Sequence, residues 1–146
     1  MTPSITVADL LKNKGTEVWS LSPGDSVREA LGIMMKKNVG ALPVVNKGMI
    51  EGIFSERDFT RKAADPAFCI DDHKVQDLMT REVQCVSPKE NIERCMSLMT
   101  TKKIRHLPVV EDGVLSGIIS IGDVVNALIT AQKENIDYLN TYITGL

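Results

Sequence analysis

Aromatic residues are scarce in this chain, 4% counting Phe, Trp and Tyr together. A platform that stacks single-stranded bases needs several exposed rings, so that class of binder is excluded. Charge of one sign is lacking too: 17 Lys plus Arg face 19 Asp plus Glu, a formal net charge of −2. Without a basic tract, neither nucleic acid nor an anionic membrane surface is an expected partner. There are three cysteines, Cys69, Cys85 and Cys95, with no Cys-x-x-Cys spacing. An odd, scattered set argues against a disulfide framework or a structural zinc site and fits a reducing compartment. No apolar run approaches the ~18–20 residues of a membrane span. The opening "MTPSITVADLLKNKG" has no signal-peptide core, so the cytoplasm is the expected location. Walker loops, Gly-x-Gly-x-x-Gly and a Ser-His-Asp order are all missing. With His73 and His106 as the sole histidines, His-based catalysis has few routes.

What is present is a duplication. At a shift of 65 residues, 21–63 aligns with 86–128 without a gap. The identities include Ser22/Ser87, Pro23/Pro88, Met34/Met99, Gly52/Gly117, Ser55/Ser120 and Asp58/Asp123, and "LPVV" stands at both 42–45 and 107–110. A shared period of this length signals repeated supersecondary units. In each copy Ser-Pro precedes an amphipathic helix: Val27, Ala30, Leu31 and Met34, then Ile92, Cys95, Met96 and Met99, fall at i, i+3, i+4 and i+7. Ser26 with Glu29 reads as a capping box, and Asn91 as the cap of the second helix. Two β-rich runs follow in each copy, Ala41–Val45 and Met49–Ser55, then His106–Val110 and Val114–Ser120. "NKG" and "EDG" supply their hairpin turns. A helix starts at Ser55 and again at Ser120, and short strands are expected around Val18–Ser20 and Val83–Val86. The unit is therefore β-α-β-β-α in an α+β fold.

The expected organisation is a first domain over 1–63 that includes an N-terminal helix capped by Thr6, a polar linker over 64–74, and a second domain over 75–146. "VQDLMT" (75–80) resembles the N-terminal helix. The final helix carries an apolar stripe of Val124, Val125, Leu128, Ile129, Ile136, Leu139 and Ile143 well beyond the repeat, a natural subunit contact.

The sharpest chemical signal is "GIFSERD" (52–58) with "GIISIGD" (117–123), where Ser and Asp stand at a strand-to-helix junction. One reading is a helix cap. The other is a ligand site: helix N–H groups attract phosphates, and a fixed carboxylate accepts from a ribose diol. Cations are uneven. Arg105 and His106 precede the second "LPVV", where the first copy has Gly40 and Ala41; Glu56-Arg57 opens the first helix, where the second has Ile121-Gly122. Arg suits bidentate phosphate contact, and His donates or carries charge. Surface ion pairing is the plainer role for Arg57 and Arg105. Pro43 and Pro108 each offer a rigid ring that could wall an adenine cleft or block unwanted pairing at an edge. "CIDDH" (69–73) lacks metal-ligand spacing and reads as a solvated turn.

Taken together, these motifs resemble a tandem pair of CBS (cystathionine β-synthase) domains, and more narrowly the small stand-alone CBS-pair proteins. "VGALPVV", "SERDFTRK", "LMT", "CMSLMTTKKIRHLPVV", "SIGDVV" and the C-terminal "YITG" carry the likeness. The resemblance implies two repeats packed sheet to sheet and a regulatory, energy-sensing module without catalysis of its own. It implies adenosine-containing ligands (AMP, ADP, ATP, NAD or S-adenosylmethionine) in clefts between the repeats, a homodimer, and a regulated protein partner. Carried over by position, the ribose acids are Asp58 and Asp123, the helix-start hydroxyls Ser55 and Ser120, and the strand-end residues Ser20 and Cys85. Ala41, Arg105 and His106 precede the proline strands, with Arg105 and His106 expected to serve Asp58. Cys85 in place of a hydroxyl and the uncharged Gly40-Ala41 imply two unequal sites. The alternative is a nucleotide-independent dimerisation module with vestigial clefts.

Overall fold

Caps decide where the helices begin. The computed structural model describes residues 5–15 and 17–144, so the Gly145 of "YITG" lies outside the described residues. The order is α1 (Val7–Lys14), α2 (Val27–Lys37), β1 (Ala41–Asn46), β2 (Met49–Ser55), α3 (Glu56–Ala63), a 3-10 turn (Ile70–Asp72), α4 (Val75–Leu78), α5 (Ile92–Lys102), β3 (His106–Glu111), β4 (Val114–Ser120) and α6 (Ile121–Thr144). Thr6 and Asp9 form a reciprocal box on α1. Ser26 accepts from the Glu29 N–H at 3.0 Å, one half of the expected box, and Asn91 accepts from Arg94 N–H at 2.7 Å. Asn38 and Lys103 end α2 and α5 in the left-handed region, φ 55° and 56°.

β1 runs antiparallel to β2 from Ala41–Ser55 to Asn46–Met49. Lys47 (φ 54°) with Gly48 (φ 80°), and Asp112 (φ 52°) with Gly113 (φ 81°), make the two turns. Consecutive left-handed residues suit the twist of a two-residue hairpin. The strand order is β1-β2-β4-β3, with β2 and β4 meeting at Met49–Val114.

The strands expected before each Ser-Pro are a correction: each shrinks to one parallel bridge, Leu21–Val44 and Val86–Val109. The first "LPVV" supplies the reason. Leu21 N–H donates to the Pro43 carbonyl at 2.9 Å and Val45 N–H to the Leu21 carbonyl at 2.8 Å, so residue 43 faces the incoming segment with its polar backbone. Proline has no N–H to carry that ladder one step further. β2 loses nothing, because Ile53, opposite Pro43, turns its own N–H and carbonyl to Thr80 at 3.0 and 2.9 Å.

The chain divides into two compact units. One holds Glu17–Cys85 with Val110–Ser116, around Leu21, Val27, Ala30, Met34, Leu42, Val44, Phe54, Val75, Leu78 and Met79. The other holds the described parts of Met1–Thr16, Val86–Val109 and Gly117–Leu146, around Val7, Leu10, Leu11, Ile92, Cys95, Met99, Leu107, Ile119 and Val124. Each fully buried aliphatic or aromatic side chain contributes about 1.5–3 kcal/mol. The short leading helices are thus exchanged: α1, first in the chain, packs with the second repeat, and α4 packs with the first. Matching bridges tie Thr6 to Asn91 and Lys74 to Ser26, each beside the cap of the amphipathic helix. The 64–74 segment is anchored by Arg28–Asp71 (3.0 Å) and by Phe68, which stacks on His73 and meets Phe59 edge-on.

The exchange works because both strands carry a glycine where the incoming segment touches. A Cβ on Gly52 would lie 2.7 Å from Met79 Sδ and 2.9 Å from the Thr80 carbonyl oxygen. One on Gly117 would lie 3.0 Å from Leu11 Cδ2. Gly52→Ala, which meets backbone, should cost about 1–3 kcal/mol; Gly117→Ala, which meets a side chain, should cost less. Urea unfolding of the two variants checks the order, and equal or inverted losses would contradict it.

Candidate functional site

In the first repeat, β2 ends and α3 begins at Ser55. The Asp58 N–H donates to Ser55 Oγ at 3.2 Å, and Asp58 Oδ2 accepts from the Ser55 N–H at 2.9 Å and from its hydroxyl at 3.0 Å. The capping reading is therefore realised. It also holds the carboxylate in one orientation. Asp58 Oδ1 accepts from the Thr80 hydroxyl at 3.0 Å. Glu56 N–H donates to the Gly40 carbonyl at 3.0 Å, and Ala41 pairs with Ser55. So Gly40, Ala41, Ser55 and Asp58 share one end of the hairpin. Ala41 and Pro43 are buried, Ser20 and Arg57 exposed.

Asp58 also lines an open groove of about 370 Å³ with Arg61, Lys62, Asp65 and Leu78. Arg61 and Lys62 are functional candidates that the motif reading passes over. Their signal was available: i+3 and i+4 from Asp58 lie on its face of a helix. The corresponding residues of the second repeat are Asn126 and Ala127, neither of them charged.

The second repeat builds the same junction. Asp123 N–H donates to Ser120 Oγ at 3.1 Å, and Asp123 Oδ2 accepts from Ser120 N–H at 2.8 Å. Ile121 N–H donates to the Arg105 carbonyl at 2.8 Å, which places exposed Arg105 and half-buried His106 at this end of β3. Pro108 is buried and accepts from Val86 N–H at 3.0 Å. Here the acid has a charged partner: Lys14 Nζ lies 2.5 Å from Asp123 Oδ2 and also donates to the Ile118 carbonyl at 2.7 Å. Partial burial pushes the Asp123 carboxyl up, but hydrogen bonds from Lys14 and Ser120 and the Lys14 charge outweigh it and hold it below 3.8. Among the described residues neither Arg57 nor Arg105 joins an ion pair.

Half-buried Cys85 belongs with the first repeat's unit, and burial raises its thiol pKa. Burial pushes Cys95 up to about 11. Both thiols stay protonated and unreactive near neutral pH. Among the described residues no group of three His, Cys, Asp or Glu could hold a metal ion. No helix there is long and apolar enough to cross a membrane.

Compared with known protein families, the chain matches the CBS domain twice, over residues 7–65 and 75–130. The mitochondrial CBS domain-containing protein CBSX3 of Arabidopsis thaliana is 39% identical over 97% of this chain and 73% of its own length. The solved CBS domain structure NE2398 superposes with a TM-score of 0.82 at 41% identity, covering 87% of this chain and 99% of that one. CBSX2, solved in complex with AMP, has a TM-score of 0.71 at 30% identity over 87% of this chain and 98% of its own. The chain belongs to the CBS domain family, as a tandem pair.

The Lys14–Asp123 pair makes stability depend on pH. An Asp whose folded pKa is depressed stabilises the fold above its unfolded value and loses that contribution as pH falls through the folded one. Lys14→Met should therefore unfold more easily than wild type at pH 7, and the gap should narrow as pH drops below 3.8, the ordinary Asp value. Urea unfolding from pH 7 to 3 measures it; a constant gap would contradict the assignment.

Proposed function

We propose that the protein is a non-catalytic regulatory module that binds an adenosine-containing nucleotide through Asp58 and signals to a protein partner. The observation that carries this reading is the groove joining the Asp58 carboxylate to Arg61 and Lys62. A carboxylate accepts from a vicinal diol but repels phosphate, so a nucleotide directs its ribose to Asp58 and its phosphate to the cations. Ala41 is small and Pro43 flat, suiting an adenine face, with Ser20 and Ser55 as polar contacts and Arg57 at the helix start. In the second repeat the corresponding residues are Cys85, Arg105, His106, Pro108, Ser120 and Asp123. The AMP in CBSX2 supports the ligand class; ADP, ATP and NAD share its ribose and phosphate. Three unpaired cysteines suit a reducing compartment such as the cytoplasm.

A ligand bound to the native state alone stabilises by RT ln(1 + [L]/Kd), about 2.7 kcal/mol at a hundredfold excess over Kd. AMP should raise the melting temperature of wild type and should not raise that of Asp58→Asn. Arg61→Ala/Lys62→Ala should reduce the AMP shift to that of adenosine. If millimolar AMP, ADP, ATP and NAD all leave the melting temperature unchanged, the nucleotide reading fails.

A second reading concerns assembly. α6 spans 24 residues, about 36 Å at ~1.5 Å per residue. Val125, Ile129, Ile136, Leu139 and Ile143 are all exposed along it. With Gln132 they keep a 4-3-4-3-4 spacing, the seam of two helices packed together. We read this stripe as the contact of a homodimer. Leu139→Glu should give monomers in sedimentation velocity with nucleotide binding retained; an unchanged mass would remove the contact from α6.

A further inference from the structure

The two repeats satisfy the same pair of acceptors with different chemistry. In the first, the Ile53 carbonyl takes the Thr80 N–H at 2.9 Å, and Asp58 takes the Thr80 hydroxyl at 3.0 Å. In the second, the corresponding Ile118 carbonyl and Asp123 both take the single ammonium of Lys14, at 2.7 and 2.5 Å. A neutral hydroxyl adds no charge beside Asp58 and competes on equal terms with a ribose hydroxyl. An ammonium cancels the charge of Asp123 at contact distance, in a pair whose side chains are only 34% and 25% exposed. Charge-assisted bonds of this kind are roughly twice as strong as neutral ones. A diol that takes both oxygens of Asp123 would have to displace Lys14 from Oδ2, which also accepts from the Ser120 N–H.

We infer that Lys14 occupies the ribose acid of the second repeat from within, so that each chain takes one nucleotide, at Asp58, and holds a latent second site at Asp123. The ligand class is a nucleoside or nucleotide with a free 2′,3′-diol, and the inference rests on the nucleotide reading above. Lys14 is thereby a specificity-determining residue: its charge, not the shape of the Ser120–Asp123 junction, separates the two repeats. It ends α1 with its stem outside the buried set of Val7, Leu10 and Leu11, so removing its charge spares the packed face of the helix.

Calorimetric titration with AMP on the full chain tests this. Wild type should bind one equivalent, abolished in Asp58→Asn and retained in Asp123→Asn. Lys14→Met should bind two, returning to one in Lys14→Met/Asp123→Asn. Lys14→Gln, a neutral donor like Thr80, should also bind two, and it replaces Lys14→Met should that variant fold poorly. Lys14→Arg keeps the charge and should stay at one. A wild type that binds two equivalents, one of them lost in Asp123→Asn, overturns the inference and leaves the nucleotide reading intact. A neutral Lys14 variant without an Asp123-dependent site overturns it as well. If wild type binds no AMP, the reading of Asp58 falls. The inference about Lys14 then stands only if its neutral variants acquire one site that Asp123→Asn removes.

Discussion

The asymmetry of this protein depends on one close approach made twice: a leading segment lies against the middle of a strand where the strand has no side chain. Gly52 admits Met79 and Thr80, and Gly117 admits Leu11. Because the segment lies that near, a polar group one to three residues further on falls within reach of the acid at the strand-to-helix junction. Thr80 meets Asp58, and Lys14 meets Asp123. A larger residue at either glycine would push the segment away and take the partner with it. Packing and electrostatics are here one constraint, since the contact that closes each core also sets which partner, hydroxyl or ammonium, meets each acid.

The Ser-x-x-Asp junction shows why capping and binding are compatible. The Asp58 and Asp123 carboxylates each accept from the N–H that opens the box, which fixes their rotamers. A preorganised acceptor loses less on binding than a mobile one. The capping bonds leave lone pairs unused, since a carboxylate offers about four acceptor positions. Beyond the partner of each acid, the junctions differ in the next ring of residues: Arg61 and Lys62 on the face of α3, Asn126 and Ala127 at the matching places on α6. A duplication that preserved the box could diverge in function through these positions without disturbing either helix start.

Much of the fold was legible because it is local. The amphipathic faces of α2 and α5, the caps at Ser26 and Asn91 and the turns at Gly48 and Gly113 all rest on neighbours within a few residues, and the duplication shows as identities at one fixed shift. The strands expected before Ser-Pro were misjudged for a related reason. β propensity near Val18 and Val83 is real, but a ladder needs a donor on the facing strand, and residue 43 has none to give. At the candidate site, Asp58 and Asp123 were readable from their motifs, and Arg61 and Lys62 could have been read from helical spacing.

By itself, then, the sequence determined the repeat, through identities at a fixed shift, and within each copy the α-β-β-α order and the Ser-x-x-Asp junction, because these follow from backbone preference and side-chain periodicity over short spans. The tertiary structure alone decided that α1 packs with the second repeat and α4 with the first. Nothing in a linear reading brings Lys14 to Asp123 across more than a hundred residues. That pairing follows from which apolar faces bury together, and the charge at the second acid follows from the pairing.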